Sequence, residues 1–378
     1  MDIRQILQEV KNHNAPDVHI MVGQPPVVRL PNGDVYISPD VPALTLQDVQ
    51  SIAEQVTPLE KMLIFKDQME VDFSFTLGNM IGESGKNDKA DSASKTQNTI
   101  DAARFRVNLY TEKNGPALAF RLIVHEIPDR MTFGVPETVM NLANLPRGLV
   151  LITGPTGSGK STTLTIVIDK INKERKSHII TIEDPIEFVH TSKASVVTQR
   201  ELGSHTKSFQ SAIKASLRQD PDVVMIGEMR DLETMMAALT LAETGHLVFS
   251  TLHTQDAPQT INRIVDAFPE FQQKQVMTQL SLTLKGVVSQ TLLPRKDGQG
   301  RVCAYEILLM NEGISNCIKE GNTHQLYSMM QIGKADGMRL LDDDLARLVN
   351  TGVIDKEVAL AKARDIEMLK VQIGMNNN

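Results

Sequence analysis

The chain has 378 residues, of which 41% are hydrophobic and 22% are charged, and its formal net charge is −7. This length exceeds what one hydrophobic core ordinarily supports, so two domains of ordinary globular composition are expected. The acidic charge argues against a broad nucleic-acid-binding surface, and 4% aromatic residues leave few rings for stacking on single-stranded bases. We therefore expect no nucleic acid partner.

Two cysteines, Cys303 and Cys317, are too few for a disulfide framework or a zinc tetrad. Both lie in apolar surroundings, which predicts core positions in a protein of a reducing compartment. No apolar run approaches the ~18 residues of a membrane span, and the N-terminus lacks the apolar segment of a signal peptide. The sequence thus predicts a cytoplasmic protein that is at most peripheral to a membrane.

Residues 1–124 have the pattern of a small α+β domain. Apolar residues at helical spacing predict helices over 1–14, 46–56 and 58–66, the second of them capped by Thr45. Short alternating runs between turn residues predict strands at 17–22, 27–30, 35–37, 71–75, 104–109 and 117–124.

Two stretches predict neither helix nor strand. Residues 78–101 are rich in Gly, Ser, Lys, Asp and Asn and hold almost nothing to bury, so we interpret them as a flexible insertion in a strand-to-strand loop. Residues 125–136 carry two prolines and no apolar periodicity, and we interpret them as the linker between two domains.

From Glu137 onward, apolar runs alternate with helical patterns, which is typical of an α/β domain with a parallel sheet. This domain is predicted to span 137–378, with a helical subdomain from about residue 310. Helices are predicted at 209–217, 231–243, 256–268 and 270–293, a strand at 302–309, and C-terminal helix breaks near Gly321, Gly333, Gly337 and Gly352.

Residues 147–164 read RGLVLITGPTGSGKSTTL and contain G-x-x-x-x-G-K-[ST] without a mismatch, between an apolar run and a helical pattern. Glycines let such a turn point its N–H groups at phosphate oxygens, and the following helix adds the positive end of its dipole. The motif lysine can reach the β- and γ-phosphates, and the serine hydroxyl can ligate Mg²⁺. The chain is therefore predicted to bind a nucleoside triphosphate. The predicted contacts are Gly154, Pro155, Thr156, Gly157, Ser158, Gly159, Lys160, Ser161 and Thr162, with Ser161 also a metal ligand.

Three further apolar runs end in polar residues, and the carboxyl ends of parallel strands meet at one edge of a sheet. The run 178–182 leads into Glu183-Asp184-Pro185-Ile186-Glu187. Carboxylates at this position can orient or deprotonate the water that attacks a phosphate.

The other two runs supply an acid and two histidines. The run 223–226 leads through a glycine to Glu228, a Walker-B-like acid suited to hold Mg²⁺ through water. The run 247–251 leads to His253 and is preceded by His246, and either histidine is a candidate phosphate sensor.

Together these strand ends resemble the boxes of the secretion ATPase superfamily. The Walker A box is followed by an acidic box (TIEDPIEF, 181–188), a Walker B box (VVMIGEMRD, 223–231) and a histidine box (TGHLVFSTLHT, 244–254). Within that superfamily the chain looks most like the type IV pilus retraction ATPases, the PilT-like twitching-motility motors. The segments DVHI at 17–20 and RFRVN at 104–108 resemble the same family.

The resemblance implies a RecA-like P-loop ATPase domain preceded by a smaller PAS-like domain, in a ring of six identical subunits that hydrolyses ATP with Mg²⁺. It implies that Glu187 is the catalytic base and Glu228 the Walker B acid, with Glu183 a further acid of the same box. Lys160 contacts the phosphates, and His246 and His253 couple the site to conformation.

The resemblance also implies a cellular role and further residues. The motor retracts a type IV pilus at the inner membrane, together with a platform protein and the pilus machinery. Guanidinium groups from a neighbouring subunit stabilise charge in P-loop chemistry. The candidates are Arg104, Arg106 and Arg121.

Two segments depart from the retraction family's pattern. Residues 313–320 read GISNCIKE where the family has AIRNLIRE, and residues 337–340 read GMRL where the family has GMQT. The differences leave the hydrolysis residues intact and concern the coupling of hydrolysis to retraction. The insertion at 78–101 is also foreign to the family.

Alternative functions remain open at this point. Assembly and type II secretion motors share the four boxes but carry a four-cysteine zinc module, whereas residues 292–302 contain no cysteine. An accessory retraction motor fits the same boxes. A scaffold that binds nucleotide without hydrolysis would lack the catalytic acids, and both Glu187 and Glu228 are present.

Overall fold

The computed structural model describes residues 3–12, 15, 17–29, 35–37, 42–77, 103–123 and 127–374. They fall into two compact units that divide after Glu126. The predicted insertion at 78–101 lies outside the described residues. The predicted linker is described from residue 127 onward, and this part belongs to the second unit and contains a short helix.

The first unit contains a six-stranded antiparallel sheet in the order β3-β2-β1-β6-β5-β4. Its strands alternate between buried and more exposed residues, as the sequence pattern predicts for a sheet with one face against a core. Its elements are α1 (Ile3–Asn12), β1 (Asp17–Ile20), β2 (Val27–Arg29), β3 (Val35–Ile37), α2 (Leu46–Val56), α3 (Leu59–Gln68), β4 (Glu70–Thr76), β5 (Arg104–Glu112) and β6 (Gly115–Ile123).

The core of this unit packs α1 and α2 against the sheet. Phe105 and Phe120 meet edge to face across β5 and β6, with ring centroids 6.2 Å apart. Thr45 caps α2 as predicted. Its hydroxyl oxygen accepts from the Asp48 N–H, and the Asp48 carboxylate accepts from the Thr45 N–H, so the two residues form a capping box.

The second unit is built on a seven-stranded sheet in the order β13-β12-β7-β11-β10-β8-β9. Every neighbouring pair is parallel except β12 and β13. The strands are β7 (Gly148–Thr153), β8 (His178–Glu183), β9 (Val196–Glu201), β10 (Val223–Ile226), β11 (Leu247–Leu252), β12 (Leu284–Pro294) and β13 (Arg301–Leu309).

Helices cover both faces of this sheet, which explains why its central strands read as continuous apolar runs. In β7, Leu149 and Leu151 belong to one core, whereas Val150 and Ile152 belong to the other. The α/β fold class is as predicted. The helices are α4 (Arg130–Phe133), α5 (Glu137–Asn141), α6 (Lys160–Glu174), α7 (Phe209–Ser216), α8 (Leu232–Glu243), α9 (Ala257–Asp266), α10 (Glu270–Thr283), α11 (Glu312–Lys319), α12 (Leu326–Ile332), α13 (Leu341–Asn350), α14 (Lys356–Leu360) and α15 (Ile366–Gln372).

The prediction of one helix over 270–293 is wrong, because α10 ends at Thr283 and the chain continues as β12. Val287 and Val288 are consecutive and lie in the cores on opposite faces of the sheet, as strand alternation requires. The apolar spacing fits a helix equally well, and pairing with β7 and β13 decides for the strand.

Glycines separate the C-terminal helices where the sequence predicts breaks. Gly321, Gly337 and Gly352 have positive φ angles, and Gly333 ends α12. The segment 313–320, which departs from the family motif, lies in α11 and the residue after it.

Candidate active site

The phosphate loop joins β7 to α6 in a conformation that depends on glycine. Gly154, Gly157 and Gly159 have φ angles of 141°, 76° and 88°, in the region that side chains disfavour. A Cβ at Gly154 would lie 2.4 Å from the Gln290 backbone oxygen, and one at Gly159 would lie 2.7 Å from the Phe133 ring. The loop therefore has the nest geometry of an anion site, at the N-terminus of a 15-residue helix.

Lys160 is the first residue of α6 and is only 8% exposed. Its Nζ donates to the backbone oxygens of Gly154 (2.7 Å) and Pro155 (3.0 Å). Burial lowers the pKa of Lys160, and the charges of Glu228 and Glu187 oppose that shift. The lysine thus lies within the electrostatic reach of two acids from two other strand ends.

The polar groups of the loop fit a phosphorylated nucleotide. Among the described residues, the buried Ser158 hydroxyl has no hydrogen-bond partner, so an oxygen-rich ligand in the nest could satisfy it. Ser161, half-buried in the first turn of α6, and Glu228 would hold Mg²⁺, which prefers oxygen ligands and retains much of its water.

The acidic box places its two glutamates in contrasting environments. Glu183, the last residue of β8, is buried, and burial raises its pKa to about 7. Thr181 and Gln199 donate to its Oε1 at 2.6 Å and 3.1 Å. Glu187 itself is exposed. Of the two, Glu187 is the carboxylate that solvent water can reach.

Glu228 lies beyond β10 and is 19% exposed at its side chain. Its Oε2 accepts from Arg230 Nε (2.8 Å), and its Oε1 lies 2.9 Å from His253 Nε2. A Cβ at Gly227 would lie 3.2 Å from the Ile182 backbone oxygen. Glycine before the acid therefore lets the ends of β10 and β8 approach closely.

The structure separates the two histidines of the histidine box. His253 follows β11 and contacts Glu228 at the carboxyl edge of the sheet. His246 precedes β11, and its Nδ1 lies 3.0 Å from the Leu241 backbone oxygen. Because β11 has six residues, the two imidazoles are roughly 20 Å apart. His246 is therefore not brought to the site.

The three candidate arginines lie in the first unit, on one face of its sheet. Arg104 and Arg106 alternate with the core residue Phe105 in β5, and Arg106 is paired with Arg121 in register. Three polar partners hold their guanidinium groups. Arg104 Nη2 donates to Ser74 Oγ (3.1 Å), Arg106 is 3.7 Å from Asp72, and Arg121 Nε donates to Asp17 (2.8 Å).

Sequence reasoning missed three polar residues near the site. Gln290 in β12 donates from Nε2 to Thr163 Oγ1 (2.8 Å), which links the sheet to α6 behind the phosphate loop. Gln199 and Glu201 in β9 bond to the acidic box. The signal in β9 is weak because VVTQRE carries polar side chains on both faces.

Comparison with known proteins addresses the family. Residues 101–358 match the family model described as type II/IV secretion system protein. A twitching motility protein of Neisseria gonorrhoeae is 43% identical over 91% of this chain and 86% of its own length. The type IV pilus retraction ATPase PilT of Pseudomonas aeruginosa is 42% identical over 96% of this chain and 98% of its own length.

The chain belongs to the type II/IV secretion system protein family. A crystal structure of the pilus retraction motor PilT with bound ADP superposes with a TM-score of 0.85, at 43% identity, and covers 98% of this chain and 99% of that one. The PilT-like resemblance and the fold class predicted from the sequence are thereby confirmed.

Proposed function

We propose that this chain is a Mg²⁺-dependent ATPase that drives retraction of a type IV pilus. The observation that carries the proposal is the meeting of four strand ends at one edge of the sheet, with Lys160 in the field of Glu187 and Glu228. The PilT relatives, matched over nearly their full length, support both ATP hydrolysis and pilus retraction as the function of this chain.

The site residues at the carboxyl edge of the sheet have separate roles in hydrolysis. The loop N–H groups and Lys160 bind the phosphates and stabilise negative charge as the terminal phosphoryl group departs. Glu187, exposed to solvent, orients the attacking water and accepts its proton. Glu228 and Ser161 hold Mg²⁺, which neutralises charge on the phosphate oxygens. His253, in contact with Glu228, reports the state of the site to the rest of the unit.

The working assembly is a homohexameric ring in which arginines from one subunit complete the site of the next. The contacts of the three arginines with Ser74, Asp72 and Asp17 restrict their guanidinium groups on one face. A contact of this kind joins different surfaces of two subunits, so it closes only as a ring.

The ring acts with a pilus platform protein and the pilus machinery at the inner membrane. None of the described helices is both long and apolar enough to span a membrane. We propose that the chain acts at the cytoplasmic side, peripheral to the membrane, as the PilT-like resemblance implies.

The assembly is tested by mixing two inactive variants. Lys160→Ala subunits keep their arginines, and Arg104→Ala subunits keep their phosphate loop. A mixture should regain part of the wild-type ATPase rate if sites are shared. Mixtures that assemble but stay inactive, together with a fully active monomer, would refute the shared site.

The cellular role is tested by deleting the gene. A retraction motor should leave pili that accumulate and cannot be withdrawn, whereas an assembly motor should leave cells without pili. Normal retraction without the gene would contradict a role as principal motor. Lack of ATP hydrolysis by the purified wild-type chain would refute the enzymatic proposal itself.

A further inference from the structure

The loop that carries Glu187 depends on side chains for its position. Residues 184–195, all of them described, run between β8 and β9 outside any helix or strand. Backbone groups in such a segment need partners, and a carboxylate that orients water needs a fixed position.

The two residues that flank Glu187 are each held at the backbone by a side chain. The Ile186 N–H donates to Glu201 Oε2 (3.0 Å). The Phe188 carbonyl accepts from Gln199 Nε2 (2.9 Å). Glu187 therefore lies at the centre of a fixed stretch although its own side chain is exposed.

Gln199 uses both ends of its amide group. Its Nε2 donates to Glu183 Oε1 (3.1 Å) as well as to Phe188, and its Oε1 accepts from the His190 N–H (2.7 Å). An amide is needed here because one group must donate on one side and accept on the other. Gln199 thereby links Glu183 to the loop on the far side of Glu187.

Glu201 is 2% exposed and is also bonded through both oxygens. Its Oε2 holds Ile186, and its Oε1 accepts from Ser204 Oγ (3.1 Å). The parallel register pairs Glu201 with Glu183, so both carboxylates lie on one face of the sheet. The same register places Gln199 beside Thr181 on that face.

We propose that Gln199 and Glu201 of β9 are positioning residues that hold the 186–188 backbone so that the Glu187 carboxylate meets the attacking water. The inference rests on the proposed ATPase function. Neither side chain touches the phosphate loop in the contacts described, so their effect passes through Glu187. Loss of either should reduce the rate of hydrolysis and leave nucleotide binding unchanged.

The first test replaces Gln199 by leucine, which removes all three hydrogen bonds at similar volume. The expected kcat falls about 10- to 100-fold, because a displacement near 1 Å is enough for such losses. The Kd for ATP should stay within about twofold, since the Lys160 loop is unchanged. Hydrogen exchange of the His190 amide should become faster, which reports the loop without reference to activity.

The control is Thr198→Val in the same strand. Thr198 Oγ1 bonds His178 Nε2 (3.0 Å) and lies on the opposite face from Gln199. The Thr198→Val substitution removes one hydrogen bond of β9 and leaves the contacts of the acidic box unchanged. Its kcat should equal that of the wild type, which separates loop positioning from general weakening of the strand.

A second pair of variants keeps the inference testable if Gln199→Leu does not fold. Glu201→Ala removes the acceptor for Ile186 and should lower kcat, whereas Glu201→Gln keeps an acceptor oxygen and should restore most of the rate. Equal losses in the alanine and glutamine variants would overturn a positioning role.

A double variant decides whether Gln199 acts through Glu187. If it does, Gln199→Leu should cause no further loss in a Glu187→Gln background. Additive losses, an unchanged kcat in Gln199→Leu, or parallel loss of ATP affinity would overturn the inference. Wild-type hydrolysis that depends on Glu187 is measured beside them, so a failed positioning role is distinguished from a failed ATPase function.

Discussion

Two carboxyl groups of the second unit share one property and differ in their neighbours. Glu183 at the end of β8 and Glu306 in β13 are both buried. Burial is the main reason that the pKa of each carboxyl is raised to about 7. Glu183 shares the Gln199 amide N–H₂ with the carbonyl of Phe188, the residue after Glu187, which is an exposed acid in the field of Lys160. It is therefore linked through one side chain to the loop of the proposed chemistry.

Glu306 lies at the start of a helix. Its carboxylate accepts from the Ala257 N–H (3.0 Å), at the start of α9. The charge of Asp256 raises its pKa further, and that of Arg364 lowers it. This carboxyl joins β13 to the N-terminus of α9, where negative charge is favoured.

The comparison shows that a raised pKa alone does not identify a catalytic acid. Burial produces the same shift at both positions, and only the neighbouring groups distinguish them. We infer function for Glu183 from its link through Gln199 to the loop of Glu187, and a structural role for Glu306 from its bond to the start of α9.

The largest effect is expected from the residues proposed to contact the nucleotide and the attacking water. Glu187→Gln should bind ATP with near-wild-type affinity and lose about 100-fold or more in kcat, whereas Lys160→Ala should also weaken binding. Steady-state ATPase assays and equilibrium nucleotide binding measure the two quantities. Full turnover by Glu187→Gln would move the base to Glu183 or Glu228.

The next effect separates the two buried acids. Glu183→Gln places an amide N–H₂ beside two donors, the Thr181 hydroxyl and the Gln199 amide, so it should displace the Glu187 loop and lower kcat by roughly 10-fold. In the wild type, kcat should rise with pH through about 7 as Glu183 becomes the better acceptor. Glu306→Gln should leave kcat and its pH profile unchanged. Equal kcat losses in both variants would break the distinction.

The sequence predicts the site better than it predicts the strands around it. A short motif with its own chemistry follows each of β7, β8 and β10. Lys160, Glu228 and the acidic box can therefore be predicted from the sequence without knowledge of the fold. The two buried acids are not distinguishable in this way. Burial depends on which strand lies beside each, and that is a property of the sheet order.

Two strands escaped prediction for different physical reasons. In β12 the apolar spacing fits a helix and a strand equally, and long-range pairing decides. In β9 the polar residues Gln199 and Glu201 face inward, where they bond to the acidic loop instead of to solvent. Function and hydrophobic pattern conflict there, so the residues that position Glu187 weaken the signal of their own strand.

A smaller effect concerns stability and pH. Because the pKa of Glu306 is raised in the folded state, its contribution to stability is full below pH 4.5 and declines as pH rises toward 7. The decline amounts to at most about 3 kcal/mol in the free energy of unfolding. Glu306→Gln should remove this part of the pH dependence, measured by urea unfolding between pH 5 and 8. Identical slopes in wild type and variant would show that Glu306 does not titrate in this range.

The smallest expected effect comes from Arg364, whose side chain is 52% exposed. Its guanidinium lies 3.2 Å from the centroid of the Tyr327 ring and 3.4 Å from Asp256, and its charge lowers the pKa of Glu306. Arg364→Met keeps apolar volume over the ring and removes the charge, so the pKa of Glu306 should rise further.

The stability decline between pH 5 and 8 should then move to higher pH by a few tenths of a unit, since solvent screens an exposed charge. The same substitution in a Glu306→Gln background should leave the pH dependence flat, because the group that responds is gone. A shift that persists without Glu306 would show that Glu306 is not the group that responds. In either background kcat should stay at the wild-type value, because Glu306 and Arg364 lie away from the phosphate loop.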